Sequence, residues 1–167
     1  MITGSERNLM KNNDIKNLAV KLLARRNLTK KELFEKLKLK FDKESALKIS
    51  DEMELSGIVN DERSAELFLY NLSEKKFYSN SKIMNELLHK GINNELIDEI
   101  FKNCNLSEEE RAMKFLKKKY KQGKINKEKA LRSLLRLGYS FEFIRNIISN
   151  VKSENERCTS YEIDELC

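Results

Sequence analysis

The sequence predicts an all-α protein: three tandem three-helix repeats, nine helices in all, forming an elongated, curved helical array. Three observations carry this expectation. Apolar residues recur at helical spacing along most of the chain, and nowhere do they alternate with period two for long enough to mark a strand. Proline is absent and only five glycines interrupt 167 residues, so helical segments run unbroken between well-marked stops. Finally, one phrase occurs three times: LFEKLKLKF at Leu33–Phe41, KIMNELLHKGI at Lys82–Ile92 and ALRSLLRLGY at Ala130–Tyr139. Aligning Leu37, Leu87 and Leu134 also aligns Leu33, Ile83 and Ala130, at offsets of 50 and then 47 residues, a period typical of helical arrays.

Residues 1–11 carry no apolar pattern and are expected to be disordered. From Asn13 onward Ile15, Leu18, Ala19, Leu22 and Leu23 form one stripe, the buried face of a first helix. Thr29 with Glu32 is a capping box that opens the second helix. This first copy of the phrase runs Lys40 directly into Phe41, without the glycine of its siblings. Asp42 is placed to cap a third helix, with Ala46, Ile49 and Met53 inward and Gly57 closing it, so the first repeat spans 12–58.

The second repeat, 59–105, opens at Asn60-Asp61-Glu62, where acidic groups meet a helix N-terminus. Ala65, Phe68, Leu69 and Leu72 line its first helix, expected to reach about residue 78. In the central phrase Ile83, Met84, Leu87 and Leu88 share a face, and Gly91 supplies the left-handed stop. Asn93 or Asn94 caps a helix bearing Leu96, Ile97, Ile100 and Phe101. In the third repeat, 106–152, Ser107 and Glu110 make a second capping box before Ala112, Phe115, Leu116 and Tyr120. Gln122-Gly123 breaks that helix, the third phrase ends at Gly138, and Ser140 caps a last helix with Ile144, Ile147, Ile148 and Val151. Residues 153–167 lose the pattern and read as an acidic tail. Each trio buries few apolar side chains, so stability has to come from stacking neighbours.

The net charge of +6 is unevenly spread. Residues 11–48 sum to +7, 51–110 to −8, 111–136 to +10 and 153–167 to −4. Two positive ends around a negative middle suit a long partner with more than one kind of surface. No apolar run approaches the roughly 20 residues a bilayer demands, and the polar N-terminus lacks a secretory core, so a cytoplasmic protein without membrane contact is expected. Cys104, Cys158 and Cys167 are odd in number, widely spaced and far in sequence from His89, the one histidine; reduced thiols are expected, with no metal. Glycines never cluster into a phosphate loop. His89 suits a helix C-terminus, and Asp61-Glu62 suits a helix start. No catalytic residue and no cofactor are expected, and the protein is not read as an enzyme.

The sharpest functional feature is basic. Lys114, Lys117, Lys118 and Lys121 fall at i, i+3, i+4, i+7, away from Phe115 and Leu116. Lys124 and Lys127 continue into the turn, and Arg132 and Arg136 line a face of the next helix. Lysines on exposed helix faces are ordinary, but ten net positive charges within 26 residues exceed a merely solvated face. Such a ridge is suited to successive phosphates or an acidic protein surface. A weaker patch comprises Arg25, Arg26 and Lys30, with Lys31 beside them. Tyr70, Phe77, Tyr78, Phe141 and Phe143 are expected to pack rather than to stack on bases.

Three segments in this order, LLARRNLTKKELFEKLKLKF, GIVNDERSAELFL and KIMNELLHKGINNELIDEIF, resemble the RecX family of bacterial regulatory proteins across roughly residues 14–151. The chain departs from the family pattern at Ser64, in the loop KKFYSNS and in lacking a glycine before Phe41. The resemblance implies three tandem three-helix repeats and a non-enzymatic modulator of the RecA recombinase. Such a protein binds the RecA–DNA filament and most often inhibits its ATPase and strand exchange, which places it in homologous recombination, DNA repair and the SOS response. The expected partners are the RecA filament and single- or double-stranded DNA, bound without sequence preference by a monomer. A helix-turn-helix DNA-binding transcriptional regulator is the alternative, although Leu33–Lys40 offers mostly lysine, which holds phosphate rather than reading bases.

Overall fold

Helices form every regular element among the described residues, which are 4–104, 107–120 and 126–149 of a computed structural model, with side chains from residue 13 onward. In order they are α1 (Gly4–Arg25), α2 (Lys30–Lys38), α3 (Lys43–Leu55), α4 (Asp61–Tyr70), α5 (Asn80–His89), α6 (Asn94–Asn103), α7 (Glu108–Lys119), α8 (Lys127–Arg136) and α9 (141–149). A π-turn, Asn71–Lys75, extends α4.

Local chemistry accounts for the boundaries. At α2 the Glu32 N–H donates to Thr29 Oγ1 (3.1 Å) while the Thr29 N–H donates to the Glu32 carboxylate (3.3 Å), a complete capping box. Side-chain oxygens of Asp42, Asn60, Asn93, Ser107, Asn126 and Ser140 each accept an N–H three residues on. Gly91 (φ 89°) and Gly138 (φ 92°) turn left-handed, and beyond them the Ile92 and Tyr139 N–H groups return to the carbonyls of Leu87 and Leu134.

The chain divides into two compact units, Met1–Leu69 with Glu86–Asn103, and Tyr70–Asn85 with Cys104–Cys167. The first unit's core joins Ile15 and Ala19 of α1, Leu33 and Leu37 of α2, and Ala46, Ile49 and Met53 of α3, with Leu28 and Val59. In the second unit, Ala112 and Leu116 of α7, Ala130 and Leu134 of α8, Tyr139, and Ile144 and Ile147 of α9 form the core. All but Leu28, Val59 and Tyr139 are positions that the apolar spacing marks as inward.

Each unit contains one head-to-tail junction of phrase helices. In the first, the end of α5 meets the start of α2: Thr29 Oγ1 donates to the Lys90 carbonyl (2.5 Å), Lys31 Nζ to the His89 carbonyl (3.1 Å), and Asp61 Oδ1 accepts the Lys30 N–H (2.8 Å). In the second, the end of α8 meets the start of α5: the Ser79 N–H donates to the Leu137 carbonyl (2.9 Å), Lys82 Nζ to the Arg136 carbonyl (2.6 Å), and the Glu108 carboxylate accepts the Asn80 N–H. Both place the negative end of one helix dipole against the positive end of another. The glycine is needed for the approach as well as for its φ. A Cβ on Gly91 would lie 2.6 Å from Lys31 Cβ, and one on Gly138 would lie 2.7 Å from Lys82 Cβ.

The structure departs from the sequence expectation in three places. Helix α1 begins at Gly4, inside the stretch 1–11 expected to be disordered. From Ser5 to Asp14 nothing breaks a helix, and extending an existing helix needs no new nucleus. The first helix of the second repeat stops being α at Tyr70 and becomes a π-turn, after which Phe77 adopts φ 58°. Burial of the Phe77 ring against Phe115 (centroids 5.9 Å apart), and a hydrogen bond from Tyr139 Oη to the Phe77 carbonyl (3.0 Å), offset that strain. Tyr70 and Phe141, both expected to pack, are 57% and 53% exposed, whereas Phe143 stacks on Tyr139.

Candidate basic interface

Helix α7 carries the densest cationic surface. Glu108, Glu109 and Glu110 occupy its first turn and Lys117, Lys118 and Lys119 its last, the arrangement a helix dipole favours. Ala112 and Leu116 are buried, which turns Lys114, Lys117 and Lys118 outward to solvent.

These lysines differ in what they already touch. Lys114 pairs with Glu74 of the π-turn, and that hydrogen bond raises its pKa. Lys118 lies over the Phe77 ring, 5.2 Å from its centroid. Lys117 makes no ion pair among the described residues and is the least committed. Lys119, not among the expected contacts, donates to Ser133 Oγ (2.5 Å) and leans over Phe115 and Tyr120. Lys121 and Lys124 lie outside the described residues.

Helix α8 adds three more of the expected cations, alongside Lys129. Lys127 is exposed in its first turn. Arg132 and Arg136 are exposed one turn apart, as the spacing predicts. Arg132 reaches Glu128 (3.4 Å), a surface pair worth well under about 1 kcal/mol, while Arg136 Nε donates to the Arg132 carbonyl (3.2 Å). Both guanidinium groups remain in solvent.

The weaker patch is divided. Arg25 and Arg26 are exposed beyond the apolar stripe of α1. The Lys30 ammonium instead bridges Asp51 (2.8 Å) and Glu54 (2.7 Å) of α3, and those hydrogen bonds raise its pKa. Its charge ties α2 to α3, as the Lys90–Glu32 pair (2.7 Å) ties α2 to the chain after α5. Lys90 also lies over the Phe68 ring, 4.0 Å from its centroid.

One cation faces inward. Arg111 is only 3% exposed, donates from Nη2 to Asn80 Oδ1 (2.5 Å), and keeps Nε and Nη1 without a hydrogen-bond partner among the described residues. It sits against Tyr139, whose pKa burial raises and Arg111 partly lowers again. The signal for this was present in the sequence. Arg111 lies four residues before Phe115, on the apolar side of the helix. Summing charge over 111–136 without regard to face hides it.

Among the described residues, no three His, Cys, Asp or Glu side chains gather as a metal ion would require. Nor is any described helix long and apolar enough to cross a membrane.

No protein-family model matches the chain. It is 34% identical over 104 residues to the "Regulatory protein RecX" of Caldanaerobacter subterraneus subsp. tengcongensis, a match covering 62% of this chain and 52% of that protein. The chain thus spans about half the length of that relative. Against the "Regulatory protein RecX" of Amycolatopsis mediterranei it is 31% identical over 123 residues, covering 72% of this chain and 70% of that one. The fold is similar to the crystal structure of RecX from Lactobacillus salivarius, with a TM-score of 0.64 and 21% identity over 84% of this chain and 96% of that chain. On this similarity of sequence, carried on an all-α helical array, the chain belongs to the RecX family of regulatory proteins.

Proposed function

We propose that this protein is a non-enzymatic, cytoplasmic regulator of the RecA recombinase that binds the RecA–DNA filament and lowers its ATPase and strand-exchange activity. Membership of the RecX family supports the partner. The surface rests on one observation: Lys117, Lys118, Arg132 and Arg136 stay in solvent within one unit, while Lys30 and Arg111 are turned to internal contacts. Lys114, Lys121, Lys124 and Lys127 complete the proposed contact to DNA phosphate or an acidic RecA face, with Arg25 and Arg26 as a second point of attachment. The repeats assigned are 12–58, 59–105 and 106–152, acting as a monomer in DNA repair and recombination.

The helix-turn-helix reading fares worse. A recognition helix presents its N-terminal residues to base edges. Here the first turn of α2 lies under the end of α5, with Thr29 fully buried.

The test is the affinity of the triple variant Lys117→Glu, Lys118→Glu, Arg136→Glu for RecA filaments on single-stranded DNA. Because all three side chains are exposed, the fold should survive, as circular dichroism will report. The expected result is binding weakened by about tenfold or more at low salt, with a shallower salt dependence. Unchanged affinity would remove the basic ridge from the mechanism.

A further inference from the structure

We propose that the π-turn beside α7 is a platform for single-stranded DNA, with a base stacked on the Tyr70 ring and the flanking phosphates held by Lys75, Lys76 and Lys118. This rests on the α7 ridge being a contact face, as proposed above, and commits that face to nucleic acid rather than to acidic protein.

Residues 70–85 belong to the second unit, as α7 does, and their own charge is hidden when 51–110 is summed to −8. Between Tyr70 and Asn85 stand three lysines, Lys75, Lys76 and Lys82, against one acid, Glu74. That acid is already taken, because Lys114 of α7 pairs with it. A second contact, Lys118 over the Phe77 ring, joins the last turn of α7 to the same stretch. The acids of α7, Glu108 to Glu110, occupy its opposite end. The fold thus attaches a basic, aromatic stretch from the acidic middle of the sequence to the lysine ridge.

The wide turn is what brings cation and ring together. In an α-helix, side chains five residues apart point about 140° away from each other. Here the Lys76 N–H returns to the Asn71 carbonyl (3.1 Å), an i→i+5 bond, and Lys75 Nζ comes to 5.8 Å from the Tyr70 ring centre. Turns of this kind occur disproportionately at functional sites, and so does backbone strain such as the positive φ of Phe77.

Exposure sorts the three rings by role. Phe77 is buried and fastens the turn to α7 through Phe115. Tyr78 is half-buried between Lys76 (5.4 Å) and Lys82 (4.3 Å). Tyr70 is exposed, with Lys75 and Lys76 in solvent on the turn that follows it. A solvated ring rimmed by lysines suits a single strand: every base offers a face to the ring, and the phosphates on either side meet ammonium groups. In duplex DNA those faces are closed by neighbouring bases. An acidic protein surface would engage the lysines without needing the ring.

The experiment uses the full chain without RecA and reads the fluorescence anisotropy of two labelled strands of about 20 nucleotides, oligo(dT) and an abasic strand with the same phosphates. Wild type should bind oligo(dT) at least about fivefold more tightly than the abasic strand. Tyr70→Ala should remove that preference and leave affinity for the abasic strand unchanged, while Tyr70→Phe, which keeps a ring, should retain it. Lys75→Gln combined with Lys76→Gln should weaken both strands and make log affinity against log salt shallower by about 1. All four side-chain changes fall on exposed positions, so the fold should survive, as circular dichroism will report. Equal affinity for the two strands overturns the proposal, as does a preference that survives Tyr70→Ala, or no binding to either strand. Because RecA is absent, each of those results leaves filament binding to stand or fall on its own test.

Discussion

Gly91 and Gly138 do two jobs where Gly57 does one. All three adopt positive φ, but a Cβ on Gly57 meets nothing within 4 Å, whereas on Gly91 or Gly138 it would press into the lysine side chain of the joined helix. Gly57→Ala should therefore cost only its conformational strain, about 1 kcal/mol. Gly91→Ala and Gly138→Ala should cost about 1–3 kcal/mol more, because overpacking is added to strain. Thermal melts of the three variants check this; three equal losses would mean that the close approach contributes nothing. Asp61 gives a second prediction at this scale. Burial holds its carboxyl above the ordinary range, against the lowering effect of the Lys30 N–H. The folded chain therefore keeps that proton more tightly than the unfolded chain. The associated stability is complete below the ordinary carboxylate pKa and is lost as pH rises through the raised one. Asp61→Asn keeps an oxygen for the Lys30 N–H and does not ionise. Its Tm should gain on the wild type as pH rises across the carboxylate range and hold level above it; a gap independent of pH would contradict this assignment.

Helices and their ends show why some of the structure could be read in advance. Caps and glycine stops depend on residues three to six positions apart, so the Thr29–Glu32 box and the stop at Gly138 are written locally. The junctions use the same residues a second time. Thr29 Oγ1 accepts within its own capping box and donates to the Lys90 carbonyl. Thr29→Val should therefore destabilise by about 1–2 kcal/mol, more than an isolated cap of this kind; Thr29→Ser, which keeps the hydroxyl, should recover most of the loss in a denaturant melt. Recovery by serine no better than by valine would exclude the hydroxyl as the cause. What the sequence hid is tertiary. The π-turn at Asn71–Lys75 has no residue signature separating it from α-helix, and Phe77 takes a positive φ because its ring and carbonyl are held by Phe115 and Tyr139. Lys30 reads as a surface cation until Asp51 and Glu54 are brought beside it from α3. Arg111 reads as one more positive charge until its helix face is considered.

For the molecule as a whole, the charge zoning visible in the sequence resolves into cations of two kinds. One set, Lys30, Lys90 and Arg111, is tied to internal contacts that hold helices together. The other, with Lys117, Lys118, Arg132 and Arg136 among its described members, faces solvent in the second unit. The fold class was legible because nine amphipathic stripes with marked ends leave little else to build. The candidate surface was legible only in part: its composition could be counted, but which charges are spent internally depends on contacts between helices. The proposed role makes the solvent-facing set the part that acts, through a polyanionic partner and hence with a dependence on salt. The most direct measurement is RecA ATPase on single-stranded DNA, titrated with this protein across a salt series, wild type beside the Lys117→Glu, Lys118→Glu, Arg136→Glu variant. The account predicts that wild type lowers the ATPase at low salt, that rising salt relieves the inhibition, and that the variant inhibits weakly throughout. An ATPase indifferent to the wild-type protein at every salt concentration would contradict it.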